Sequence, residues 1–227
     1  MIPPGNPELA RPPVGRPLWS LVGPALGALL AAGLLTAPIG PLAGAITRDL
    51  GLSTTTMLMT VVVPYVVAAA ALVVPGHLLG RRWPTATAVP ASMLLVLGSA
   101  VSAFTPGVAL LAVGRVVLGV GAGTVVGVVL ALSGQLGHWR SRARLVLGLG
   151  LGVALLVGPV VSGTLTVALG WRLAFVADLL MATVALVGAV VGGIGMWILR
   201  AVRPSGPAAP VTTPPLPDET SLGGPAR

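Results

Sequence analysis

Six long apolar stretches, parted by short polar links, constrain this chain more than any other feature. They run from about Leu18 to Ile46, Thr55 to Leu79, Thr85 to Phe104, Val108 to Leu136, Leu145 to Leu169 and Leu173 to Leu199. Crossing about 30 Å of hydrocarbon takes roughly 20 helical residues at about 1.5 Å each, and every stretch reaches that length. Lipid offers peptide groups no hydrogen-bond partners, so a spanning segment is a helix or a barrel strand. The alternation that marks barrel strands is missing, and the sequence predicts an all-α membrane protein of six transmembrane helices. The links Thr47–Thr54, Gly80–Pro84, Thr105–Gly107, Gly137–Arg144 and Gly170–Arg172 are short. Short links make successive helices antiparallel.

Composition agrees. Only 8% of residues are charged, against about a quarter in soluble domains, too few to cover a water-facing surface. The first stretch is longer than the apolar core of a signal peptide and more spans follow, so it is read as a retained helix. Residues 1–17 read as a disordered cytosolic leader and 201–227 as a disordered cytosolic tail, rich in Pro, Gly and Thr. The net charge of +8 comes from arginines scattered in loop clusters, with no basic face or nucleic-acid module. The bilayer is the expected partner, and nucleic acid is not. There is no cysteine, which removes disulfides and thiolate chemistry.

The arginines also orient the chain. With the N-terminus in the cytosol, one side holds Arg11, Arg16, Arg81, Arg82, Arg140, Arg142, Arg144, Arg200, Arg203 and Arg227, and the other only Arg48 and Arg172. Positive charge stays inside, so both termini are expected in the cytosol, with the plasma membrane as the location.

Chemistry-bearing residues within the spans are few. Arg115 stands in the fourth stretch before Gly119, Gly121 and Gly123. An arginine inside a span costs about 2.5–3.5 kcal/mol by insertion scales and usually faces the bundle interior; snorkelling to the interface is the alternative. Small residues four apart let helices approach closely. The fifth stretch carries Gly158-Pro159 and Gly163, and the proline implies a bend. Asp178 is the one acid expected within a span. Pairing with Arg172 is its favoured reading, and a proton-coupling role the alternative. His77 falls near a helix end and reads as interfacial. Trp19, Trp83, Trp139, Trp171 and Trp197 all fall near span ends, as interfacial anchors do. No zinc-protease, phosphate-loop or paired-acid constellation appears, so neither an enzyme, a cofactor nor a metal is expected.

The pieces occur in a telling order: Asp49-Leu50-Gly51-Leu52-Ser53, Pro64-Tyr65, Gly76, Arg115 with Gly119 and Gly121, Gly158-Pro159 with Gly163, then Gly170-Trp171-Arg172. Over residues 18–200 this resembles the N-terminal half of major facilitator superfamily transporters, nearest the drug:proton antiporter branches. The resemblance implies a half bundle of two inverted three-helix repeats that moves small molecules against protons. It implies a proton-coupling role for Arg115. Gly158, Pro159 and Gly163 match the antiporter motif, and Gly76, Leu78, Arg81 and Arg82 match parts of the loop motif between the second and third helices. That motif's acid is absent, with Gly80 in its place, and Asp178 stands where the family often has Asn. Six spans are half of the family's complement. The implied carrier therefore pairs two copies or joins a separately encoded second half, with glycine-rich faces of the first, fourth and fifth helices as the exposed contact. A truncated carrier inactive alone and a non-transporting scaffold or regulator are the other readings.

Overall fold

The computed structural model describes residues 18–38, 41–136 and 140–202. The leader, the tail from residue 203 on, His138 and Trp139 lie outside the described residues, as do Arg11, Arg16, Arg203 and Arg227. A 3-10 turn, Leu18–Leu21, leads into α1 (Val22–Thr36). There follow α2 (Pro41–Leu50), α3 (Thr54–Met57) and a π-helical turn (Leu58–Val62) continuous with α4 (Val63–Arg82). The chain then forms α5 (Pro84–Ala103), α6 (Val108–Ser133), α7 (Arg140–Leu169) and α8 (Trp171–Val202). Six segments are long and apolar enough to cross a membrane: Trp19–Thr36, Thr54–Arg82, Pro84–Ala103, Val108–Ser133, Arg140–Leu169 and Trp171–Leu199.

The expected elements are present, but several boundaries move for local reasons. The first stretch is not one helix to Ile46. It breaks after Thr36, where Pro38 and Pro41 withdraw two N–H donors. The first half of the expected link Thr47–Thr54 is the end of α2, closed by Gly51 at φ +63°. The Leu52 N–H reaches back to the Thr47 carbonyl at 2.9 Å, a Schellman closure that only a left-handed residue permits. Ser53 then caps α3, its Oγ accepting the Thr56 N–H at 3.1 Å. The fourth helix ends at Ser133, short of Leu136, while α7 begins at Arg140, five residues before Leu145. Gly170, at φ +92°, turns α7 into α8. The sixth helix continues through Val202, so Ala201 and Val202 are helical and not tail.

The packing pattern is two-fold. α4 packs on α6 as α7 packs on α1; α5 packs on α6 as α8 packs on α1; and α5 meets α8. Exchanging the first three spans with the last three maps the members of the first two of these pairs of contacts onto each other and the α5–α8 contact onto itself. Each unit has an odd number of spans, so the second is upside down relative to the first. These are the two inverted repeats, and they are interleaved.

α6 is the central helix. Its residues enter three stacked apolar clusters. The middle one joins Ala31, Tyr65, Leu95 and Leu118. The second, around Leu42, Leu111, Trp171 and Phe175, fills the end nearest Asp49. The third, around Leu21, Val128 and Ala189, fills the end nearest the arginine cluster at 81–82 and 140–144. These two ends are called the Asp49 end and the basic end below. α7 is the least covered span and α4 the next.

Candidate functional site

The α4–α6 crossing sets the site's depth. A Cβ on Gly76 would lie 2.8 Å from the Thr124 Cα, and one on Gly119 2.5 Å from the Tyr65 carbonyl oxygen. Gly123 would meet the Ala69 backbone. On another side of α6, Gly121 faces the backbone of Ala91 and Leu95 in α5. The α6 glycines are therefore spent inside the bundle. The expectation that they form an exposed face for a partner is corrected by this packing, because each lacks the Cβ that a neighbouring backbone already excludes.

Arg115 lies seven residues into α6, about 10 Å from its start, and is fully buried. The snorkelling alternative is thereby excluded. Its guanidinium sits over the Phe175 ring of α8, 4.8 Å from the centroid. Nη1 points at the Leu34 carbonyl of α1 at 3.5 Å, the long limit for a hydrogen bond. That carbonyl is available because the residue four ahead is Pro38, which has no N–H to give it. Nε and Nη2 have no partner. Tyr65 lies close enough to feel the charge and donates its hydroxyl to the Ala31 carbonyl.

Asp178 shares this depth. It lies seven residues into α8, on the buried stripe of Trp171, Ala174, Phe175, Ala182, Ala185 and Ala189. Arg115 and Asp178 act on each other electrostatically without closing to an ion pair. The favoured pairing of Asp178 with Arg172 is corrected. Arg172 reaches the other way, to Asp49 at 3.8 Å, and stacks over Trp171 at 5.0 Å. Six residues along a helix put Arg172 and Asp178 on different faces and about 9 Å apart in rise.

Trp171 is likewise not an interfacial anchor. It is buried, gives its indole N–H to Asp49 at 3.0 Å, and meets Phe175 edge-on at 6.0 Å. Trp19, Trp83 and Trp197 are exposed at span ends as expected. A run of contacts thus leads from Asp49 at the surface through Trp171 and Phe175 to buried Arg115.

The α1–α7 contact uses prolines reciprocally. Pro159 leaves the Leu155 carbonyl without its helical donor, and Thr36 Oγ1 supplies one at 2.8 Å. Pro41 stands four residues past Ala37, whose carbonyl receives Ser162 Oγ at 3.1 Å. A Cβ on Gly158 would come 2.7 Å from the Gly33 carbonyl oxygen. Gly163 faces the Pro41 ring. Thr36→Val will therefore lower stability by about 1 kcal/mol, within the range for stranding a buried acceptor. Thr36→Ser will not, and thermal unfolding in detergent will read the difference.

Below this level a cavity of 590 Å³ opens among α1, α4, α6 and α7. Ala28, Val126, Val129, Leu147 and Leu151 form its apolar lining, with His77, Ser133 and Arg144 toward the basic end. His77 is thus at the cavity, with its Nδ1 buried and unpartnered. Leu78, Arg81 and Arg82 are not brought to Arg115. They surround a surface groove with Trp83 at the far end of α4, while Gly76 and Gly80 of the same turns pack against α6. Among the described residues no three metal-ligating side chains cluster.

The sequence matches the Major Facilitator Superfamily profile over residues 20–221. The chain belongs to this superfamily. Among its relatives in the superfamily, an uncharacterized MFS-type transporter of Mycobacterium tuberculosis is 36% identical over 102 residues. That match covers 44% of this chain and 14% of the relative. A chloramphenicol efflux pump of the same organism is 33% identical over 143 residues, covering 61% of this chain and 34% of the pump. The crystal structure of a POT peptide transporter, a point mutant with sulfate, superposes with a TM-score of 0.65 at 19% identity. It covers 80% of this chain and 39% of that one, and it shows the fold. The chain spans well under half the length of each of these superfamily proteins.

Sequence reasoning on this superfamily member singled out Arg115 and Asp178, which the fold buries at one depth, but did not single out Phe175, Thr36 or Ser162, which contact Arg115 or join α1 to α7. Phe175 carried a signal, since an aromatic three residues before an intramembrane acid is a candidate neighbour for a buried cation. Thr36 and Ser162 carried one too: a hydroxyl near a proline-freed carbonyl.

Proposed function

We propose that the chain carries small, drug-like molecules out of the cell in exchange for protons. In this reading Arg115 and Asp178 form the coupling site, and the cavity below them holds the substrate. The observation that carries it is Arg115 itself: a fully buried guanidinium with two donors unpartnered, level with the one acid of the described spans. A charge kept in the membrane at such cost is ordinarily functional. Carriers of this kind bind substrate at mid-membrane between two rocking bundles. The resemblance to an efflux pump supports the direction and the substrate class.

A second six-helix unit completes the carrier in this proposal, either another copy or a separately encoded half. It closes over α4 and α7, the two least covered spans, which flank the cavity. In this proposal both termini are in the cytosol, as the arginine count favours, and the membrane is the plasma membrane, where efflux from the cell takes place.

The test is flux. Vesicles containing the chain, alone and with a candidate second half, are loaded with labelled chloramphenicol and given a pH gradient. Release rising at least about tenfold with the gradient, and lost when an ionophore collapses it, is the expected result. Release that ignores the gradient in both preparations would refute proton coupling. The chain lacks cysteine, so Leu156→Cys on the open face of α7 reports pairing directly. On mild oxidation a disulfide dimer is expected if two copies pair; if they do not, a disulfide is expected only with a cysteine introduced on the facing helix of the second half.

A further inference from the structure

We propose that the cavity takes an amphipathic anion: an apolar body with one negatively charged head. The inference rests on the reading of this cavity as the substrate site and adds the chemistry that the site selects. A volume of 590 Å³ lies within the roughly 300–1,000 Å³ of drug-sized sites. Its deep walls are valine, leucine and alanine from four helices, which reward an apolar body and offer nothing to a charge. Polar groups gather at one end only, and the one charged group among them is a cation. Arg144 brings a permanent positive charge to the mouth, and His77 brings a ring nitrogen that is buried and unpartnered. No acid lines the cavity. The two acids among the described residues, Asp49 and Asp178, belong to the Asp49 end and to the Arg115 level. Ser133 already donates to the Leu130 carbonyl at 2.9 Å, so its oxygen adds no free donor.

The electrostatic consequence is a preference by sign. A cation entering with its apolar body would lose hydration beside Arg144 and find no carboxylate. An anion would exchange water for a guanidinium, whose donors match carboxylate and sulfonate oxygens. The cavity is too small to hold a two-chain phospholipid whole, and a soluble single-ring or double-ring anion is the occupant.

The experiment uses three probes with one body and three heads: naphthalene-2-sulfonate, 2-naphthalenemethanol and 2-naphthyl-trimethylammonium. Each is titrated by equilibrium dialysis against the full chain in phosphatidylcholine nanodiscs. The sulfonate is expected to bind about tenfold or more tighter than the alcohol, with the ammonium weakest, a factor of ten being an ordinary return for one charged contact. Arg144→Gln will erase the preference, Arg144→Lys will keep part of it, and Arg140→Gln, on the same helix but outside the cavity, will leave it unchanged. Equal or tighter binding of the ammonium would overturn the proposal. So would a preference that survives Arg144→Gln, and so would displacement of the sulfonate when phosphatidylglycerol replaces phosphatidylcholine, which would assign the site to lipid. Binding needs no flux, so the two readings separate. A chain that binds the sulfonate in this order but carries nothing leaves this inference standing and removes carriage. A chain that carries a neutral compound in a gradient yet shows no sulfonate preference removes this inference alone.

Discussion

Arg115→Met will yield a protein that is more stable than the wild type and unable to transport. The guanidinium is fully buried, two of its three nitrogens have no partner, and its one carbonyl contact is long. Asp178 acts on it from beyond ion-pair distance. Such a charge costs stability, because desolvation exceeds what the neighbours return, and isosteric apolar replacements of buried charges are often stabilising by about 1–4 kcal/mol. Methionine fills nearly the same volume against Phe175. Thermal unfolding in detergent should shift upward by the equivalent of roughly 2 kcal/mol, close to the insertion cost of a mid-helix arginine. Gradient-driven release should fall at least about a hundredfold, which corresponds to about 2.7 kcal/mol of barrier. A variant that is both unstable and inactive would mark Arg115 as a structural anchor instead.

Gly123→Leu will disrupt the fold. The Cβ alone would lie 2.8 Å from the Ala69 carbonyl carbon, and the carbonyl oxygen lies nearer still. The obstacle is backbone in the middle of α4, which has no rotamer to yield. Overpacking a core typically costs about 1–3 kcal/mol, and a rigid obstacle places this substitution at or above the upper end. Folded yield in the membrane fraction should drop several-fold, while Gly148→Leu, where no atom lies within 4 Å of the added carbon, should be tolerated. Similar losses at both positions would show that α4 and α6 do not cross through glycine.

These two sites show what was legible in the sequence. The spans could be read because length and apolarity report directly on the thickness of hydrocarbon. Arg115 and Asp178 could be read because a charge in a span stands out. The inward face of each helix could not. Lipid is as apolar as the bundle interior, so the outer face of α7 reads like the inner face of α6. That is why the α6 glycines looked like an open face and are in fact enclosed by α4 and α5. Trp171 failed for a related reason: a tryptophan at a span end has the composition of an anchor, and only the fold brings Asp49 beneath it. Pro38 and Pro41 were visible, but their effect depended on which distant donors, Arg115 and Ser162, would meet the freed carbonyls. Short-range spacing placed Asp178 near Arg172, and helical rise then carried the two apart.

Substrate-dependent proton movement tests the central claim most directly. Everted vesicles holding the chain, alone and with a candidate second half, are acidified inside, and the internal pH is followed with a fluorescent weak base as substrate is added. The account predicts proton efflux that starts with substrate, saturates with its concentration and is absent in Arg115→Met. Substrate uptake with no accompanying proton movement, or proton movement unchanged in Arg115→Met, would contradict it.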